Sequence, residues 1–229
     1  MFATSPFFMY NLLMNITNKM KLEIINILEM KKYLGAEYIS PINFKRKNTK
    51  KLSLPGDMKS LEDYVNNCSL CELYKSKEST SFGVGNENSD ILLIGLNYDF
   101  DDKRMYLIVK RMFENVLQVN INDIYMTNII KCKTKRQKKY FDDEVDKCIS
   151  YLEMQISIIK PKMIITLGKT FEYMMKINEE IVNISGNLYS FNDIKLIPLM
   201  DPLFINQNPS YKEKMFQDLI KIKNILDKK

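Results

Sequence analysis

The chain has no histidine, no tryptophan and only four cysteines among 229 residues. The missing histidine removes the usual general base near neutral pH. Four cysteines are too sparse for a disulfide scaffold. A secretory leader is not expected. The opening MFATSPFFMYNLLM is apolar, yet it has no positive n-region and no small-residue cleavage site, and it is too short to span a bilayer. Met14 and Met20 are alternative starts. These absences point to a reducing cytoplasm and no membrane, a setting where grouped cysteines more often bind metal than pair.

Hydrophobic residues make up 45% of the chain and charged residues 27%, which suits a globular protein with a sizeable core. The net charge of +6 permits contact with nucleic-acid phosphates, depending on where the charge sits. Residues 20–34 put Leu22, Ile25 and Leu28 on one helical stripe, with Gly35 as a cap. Residues 36–58 mix Pro41, Pro55 and Gly56 with the basic run KRKNTKK and read as a linker. The expected division is a helix and linker over 1–58 and one domain over 59–229.

From residue 59 strands and helices alternate. A short helix over 59–67 leads into Cys68. DILLIG (90–95), DIYMTN (123–128), KMIITLG (162–168) and KLIPL (195–199) read as buried strands. Helices are expected over 104–117, 141–160, from Lys169 onward, and at the end through Met215, Leu219, Ile222 and Leu226. This alternation predicts an α/β fold with a parallel sheet covered on both faces. Sites in such sheets lie beyond the strands' carboxyl ends, here Gly95, Asn128, Gly168 and the stretch near Asp201.

The cysteines are Cys68, Cys71, Cys132 and Cys148. The first two form C-x2-C, a spacing that turns two thiolates toward one ion or cluster. With no histidine present, an all-thiolate site is the natural way to complete four ligands. Spacing alone leaves zinc and an iron–sulfur cluster equally open.

The order of these pieces resembles the family 4 uracil-DNA glycosylases, which carry a 4Fe–4S cluster. The matching stretches are CSLC (68–71), FGVGN (82–86), DILLIG, DIYMTNIIKCK (123–133), CISYLEMQISIIKPKMIITLG (148–168) and IPLMDPLFINQNP (197–209). The resemblance implies a three-layer α/β/α fold with a four-stranded parallel sheet. It implies that all four cysteines hold a structural 4Fe–4S cluster rather than zinc. It also implies a DNA partner and hydrolysis of the bond between uracil and deoxyribose on a nucleotide turned out of the stack. The chain is separately expected to act as a monomer. The family's uracil-reading asparagine matches Asn128, whose amide offers one donor and one acceptor face.

The chain departs from that pattern at three points. The family's Gly-Glu-Ala-Pro-Gly is here Gly95-Leu96-Asn97-Tyr98-Asp99. The next loop is shorter and reads DFDDKRMY (99–106), without the family's Gly-rich phenylalanine segment. The family's His-Pro is Asp201-Pro202. An ionised aspartate repels a departing uracil anion by roughly 4 kcal/mol at about 4 Å and an effective dielectric of about 20, about a thousandfold in rate. Asp201, Asp99, Asp101 and Asp102 are alternatives for positioning water. The expected catalytic set is Asn128, Asp201 and Asp99. The alternative expectation is a catalytically impaired DNA-binding relative that keeps the cluster and the fold.

KCKTKRQKK (131–139) carries six basic residues in nine positions around a cluster ligand. Lys131, Lys133, Lys135, Arg136, Lys138 and Lys139 are the expected phosphate contacts. Leu203 is the expected apolar wedge into the duplex.

Overall fold

A computed structural model describes residues 54–134 and 142–227. The helix expected over 20–34, most of the linker, and Lys135, Arg136, Lys138 and Lys139 lie outside the described residues.

The described chain enters with α1 (Met58–Asn66), capped by the Asp57 carboxylate, which accepts the Ser60 N–H at 2.9 Å. A 3-10 turn over Glu72–Ser76 leads to β1 (Lys77–Thr80) and β2 (Val84–Gly85). Then come β3 (Ile91–Gly95) and α2 (Lys103–Arg111), which loosens into a π-helical turn over Met112–Leu117. β4 (Ile124–Asn128) and β5 (Cys132–Thr134) precede the long α3 (Asp142–Ile159). β6 (Met163–Leu167), α4 (Thr170–Met175) and α5 (Ile181–Ile184) follow. β7 (Tyr189–Phe191), β8 (Ile194–Leu199), α6 (Pro202–Gln207) and α7 (Lys212–Asp227) complete the described residues.

The main sheet runs β2-β4-β3-β6-β8-β7. Its four inner strands are parallel, and the short outer strands β2 and β7 are antiparallel. The four-stranded parallel core is therefore as expected, widened by an antiparallel strand at each edge. A separate antiparallel pair joins β1 to β5.

Strand alternation divides the core in two. Leu92, Ile94, Tyr125, Ile164 and Leu196 pack under α1, α3 and α4. Ile91, Leu93, Ile124, Met126, Ile165, Ile197 and Leu199 pack under α2 and α7. Two apolar faces of this kind require helices on both sides, which gives the α/β/α sandwich. Full burial of one such aliphatic side chain is worth roughly 1.5–3 kcal/mol.

One expected helix is shorter than its pattern suggested. The helix over 104–117 leaves α-geometry after Arg111. The helix after β6 stops at Met175, where Lys176 turns left-handed at φ 55°.

Candidate functional site

Parallel pairing sets Gly95 beside Asn128, and Thr166 of β6 beside Pro198 of β8. The carboxyl ends of β3, β4, β6 and β8 thus share one edge of the sheet, and Asp201 follows just beyond β8. On this edge the neighbours Thr127 and Asn128 point to opposite faces, as a strand dictates.

The Thr127 face leads to the cysteines. The Thr127 hydroxyl donates to the Phe82 carbonyl at 2.6 Å and lies 3.1 Å from Gln155 Oε1. Gln155 Nε2 donates to the same carbonyl at 3.0 Å. The Lys131 ammonium donates to Thr127, Gln155 and Phe82 and sits 5.7 Å from the centre of the Phe82 ring. Lys131 is only 1% exposed, so it is corrected from a phosphate contact to an internal strut. Burial pushes its pKa down to about 7.

Cys68, Cys71, Cys132 and Cys148 line one small cavity beside this network, together with Lys131 and Tyr151. Pairing of β1 with β5 sets Thr80 opposite Cys132 and ties the C-x2-C segment to the loop after β4. Cys71, Cys132 and Cys148 are buried, Cys68 is half-buried, and all four are free thiols. The Tyr151 hydroxyl donates to Cys68 Sγ at 3.0 Å. A hydrogen bond from the Cys148 thiol draws the Cys71 pKa down to about 6 against the effect of burial, and hydrogen-bonding to Cys71 together with burial raises Cys148. Burial lifts Cys132 to about 11. Among the described residues no three cysteine or acidic side chains are gathered closely enough to hold a single metal ion. Four thiols at one cavity, with no histidine in the chain, are a donor set that suits soft thiolate-bound metal.

The Asn128 face leads to a different arrangement. Asn128 is fully buried, and its amide is fully engaged. Oδ1 accepts the Tyr98 N–H at 2.8 Å, and Nδ2 donates to the Tyr98 carbonyl at 2.8 Å and to Ser81 Oγ at 3.1 Å. The Tyr98 ring lies across the strand ends. A Cβ placed on Gly95 would strike that ring and come within 2.6 Å of Asn128 Oδ1, so only glycine fits there. The Tyr98 hydroxyl reaches the neighbourhood of Gly168 and faces Asp201. Burial, with the Asp201 charge and hydrogen bond behind it, raises the Tyr98 pKa above its ordinary value.

Asp201 also caps α6, with Oδ1 accepting the Leu203 N–H at 2.7 Å and lying 3.4 Å from the Phe204 nitrogen. Asn128 and Asp201 are therefore brought together, around Tyr98. Asp99 stands apart. It is exposed and pairs with Lys133 at 2.7 Å, a contact that lowers its pKa, while Asp101 meets the same ammonium at 3.0 Å. Asp102 caps α2. Phe100 is buried and packs against Tyr98 with ring centres 6.0 Å apart. Leu203 is half-buried against the α2–α7 side of the core, and its neighbour Phe204 is the exposed ring of α6.

Sequence reasoning missed Gln155, the strut role of Lys131, and Tyr98. All three lie inside or beside the stretches that carry the resemblance, and that placement is the signal they offered.

The model of the uracil DNA glycosylase superfamily matches residues 82–221. The type-4 uracil-DNA glycosylase of Saccharolobus solfataricus is 28% identical over 186 residues, covering 74% of this chain and 86% of that protein. That of Archaeoglobus fulgidus is 28% identical over 191 residues, covering 75% of this chain and 96% of that protein. That of Thermotoga maritima is 25% identical over 185 residues, covering 75% and 95%. The family match spans the β-sheet, both helical layers and the edge that carries Asn128 and Asp201, and the chain belongs to the uracil DNA glycosylase superfamily.

Proposed function

We propose that this chain acts on uracil in DNA, hydrolysing the bond between uracil and deoxyribose, and that Cys68, Cys71, Cys132 and Cys148 hold a 4Fe–4S cluster. The observation that carries this reading is the pairing of Gly95 with Asn128 at the carboxyl edge of the parallel sheet, with Asp201 on the same edge. Asn128 offers the acceptor and donor that a uracil edge needs. Asp201 lies on the same edge, against the Tyr98 hydroxyl, and is the candidate for placing water. The cluster is favoured over zinc by the resemblance to the family 4 uracil-DNA glycosylases, and all four cysteines line one cavity. When bound, the cluster supplies a cross-link between segments and no chemistry on the base.

We take residues 59–229 as the working domain, a monomer acting on DNA in a reducing cytoplasm. Lys133, Lys135, Arg136, Lys138, Lys139 and Leu203 remain its proposed DNA contacts. Among the described residues no helix is long and apolar enough to cross a membrane.

A second reading, DNA binding without excision, is favoured by one observation: the Asn128 amide is already satisfied by Tyr98. The test is incubation of anaerobically purified protein with uracil-containing single- and double-stranded oligonucleotides, followed by alkaline cleavage of abasic sites. Abasic product is the expected result. Binding without product at any enzyme excess favours the second reading, and no binding at low salt contradicts both.

A further inference from the structure

We propose that Tyr98 decides whether Asn128 can read a base: its backbone stands in for the edge of a pyrimidine, and its ring holds that stand-in in place. The inference rests on the reading of Asn128 as the base-recognising amide.

The chemistry is one of matching edges. Uracil presents an N–H next to a C=O, and an asparagine amide pairs with both at once. Tyr98 presents the same pair from one residue, its N–H to Asn128 Oδ1 and its C=O to Asn128 Nδ2, each at 2.8 Å. The second Nδ2 proton goes to Ser81 Oγ, so no donor on the amide is left over. A base and the Tyr98 backbone cannot both hold Asn128.

The turn that carries Tyr98 is fixed on all sides. At its start the Ile129 N–H donates to the Gly95 carbonyl and the Ile130 N–H to the Leu96 carbonyl, both at 2.9 Å. At its end Asp102 caps α2. Between these anchors the Tyr98 ring leans on Phe100, and its hydroxyl faces Asp201. On the outer side Lys133 bridges Asp99 and Asp101. The ring therefore does two things. It fills the space above Gly95 and Gly168, and it keeps the backbone pair aimed at Asn128. Admission of a flipped base requires the turn from Leu96 to Asp99 to move outward as a unit.

Two substitutions separate the backbone from the ring. Tyr98→Pro removes the ring and the N–H together, because proline has no amide hydrogen. Tyr98→Ala removes only the ring. The probe is a single-stranded oligonucleotide with one 2′-fluoro-2′-deoxyuridine, whose fluorine holds the glycosidic bond intact, compared with the same strand bearing cytosine. Binding is measured by fluorescence anisotropy, with folding checked by circular dichroism. Tyr98→Pro is expected to prefer the uracil strand by about tenfold or more, within the range that a bidentate amide–base contact discriminates. Tyr98→Ala is expected to fall between it and the unsubstituted protein, and Asn128→Ala added to either is expected to abolish the preference. If the folded variants bind both strands equally, the role of Tyr98 is overturned while the DNA-binding reading stands. If neither the variants nor the unsubstituted protein binds any strand, the base-recognition reading falls and this inference falls with it. Should Tyr98→Pro fail to fold, Tyr98→Ala alone decides by the same comparison.

Discussion

Thr127 and Asn128 are neighbours on one strand, yet they serve two regions built in opposite ways. On the Thr127 face the buried side chains of Thr127, Lys131 and Gln155 meet partners in stretches that match the family pattern. Thr127, Lys131 and Gln155 converge on the Phe82 carbonyl, and the four cysteines line a cavity beside them. On the Asn128 face the residues that depart from the pattern satisfy one another. Tyr98 takes the Asn128 amide, and Asp201 faces Tyr98 and caps α6. The first region gathers four thiols at one small cavity, whereas the second is closed on itself. Substitutions that depart from a family's pattern need not leave a hole; they can form a new set of contacts, and that set is what a base would have to displace.

Substitutions at four positions break or sharpen this contrast. The largest effect is expected for Cys148→Ser, which should remove bound iron and lower the melting temperature by roughly 10 °C, because a structural metal group adds its binding free energy to folding. Iron analysis and a thermal melt on one preparation read both. Next comes Lys131→Ala. It strips partners from Thr127, Gln155 and the Phe82 carbonyl inside the protein, and should cost about 3 kcal/mol in a denaturant titration. If Lys131 instead contacted phosphate, stability would hold and the salt slope of DNA binding would fall.

Asp201→Ala should cost about 1 kcal/mol through loss of the α6 cap, seen as a drop of a few degrees in melting temperature. Asp201→Asn keeps an oxygen acceptor there and should stay near the original stability. The smallest effect is expected for Lys133→Met. Its two ion pairs join exposed carboxylates, and such pairs contribute about 0–1 kcal/mol. The sharper readout is the Asp99 carboxyl, whose pKa should rise back toward its ordinary value in an NMR titration when its main cause is removed.

The sequence made the four inner strands plain because each is a short apolar run bounded by turn residues, buried on both faces. The helix α3 was equally plain from its apolar stripe and the Pro161 that ends it. The edge strands β1, β2, β5 and β7 were not visible. They span two to four residues and owe their conformation to pairing partners distant in the chain, not to a local period. Lys131 was misread because it stands in a run of basic residues, and nothing local distinguishes the one that turns inward. Tyr98 was seen only as a missing proline. Its role depends on Asn128, Gly168 and Asp201, which reach it through the parallel register of the sheet.

The contrast stands first on the cysteine region, and one measurement tests that directly: iron and acid-labile sulfide content, with a visible spectrum, of protein purified without oxygen. The account predicts about four irons and four sulfides per chain with broad absorbance near the visible edge, all lost on Cys148→Ser. A folded protein that carries stoichiometric zinc, or no metal at all, would contradict it.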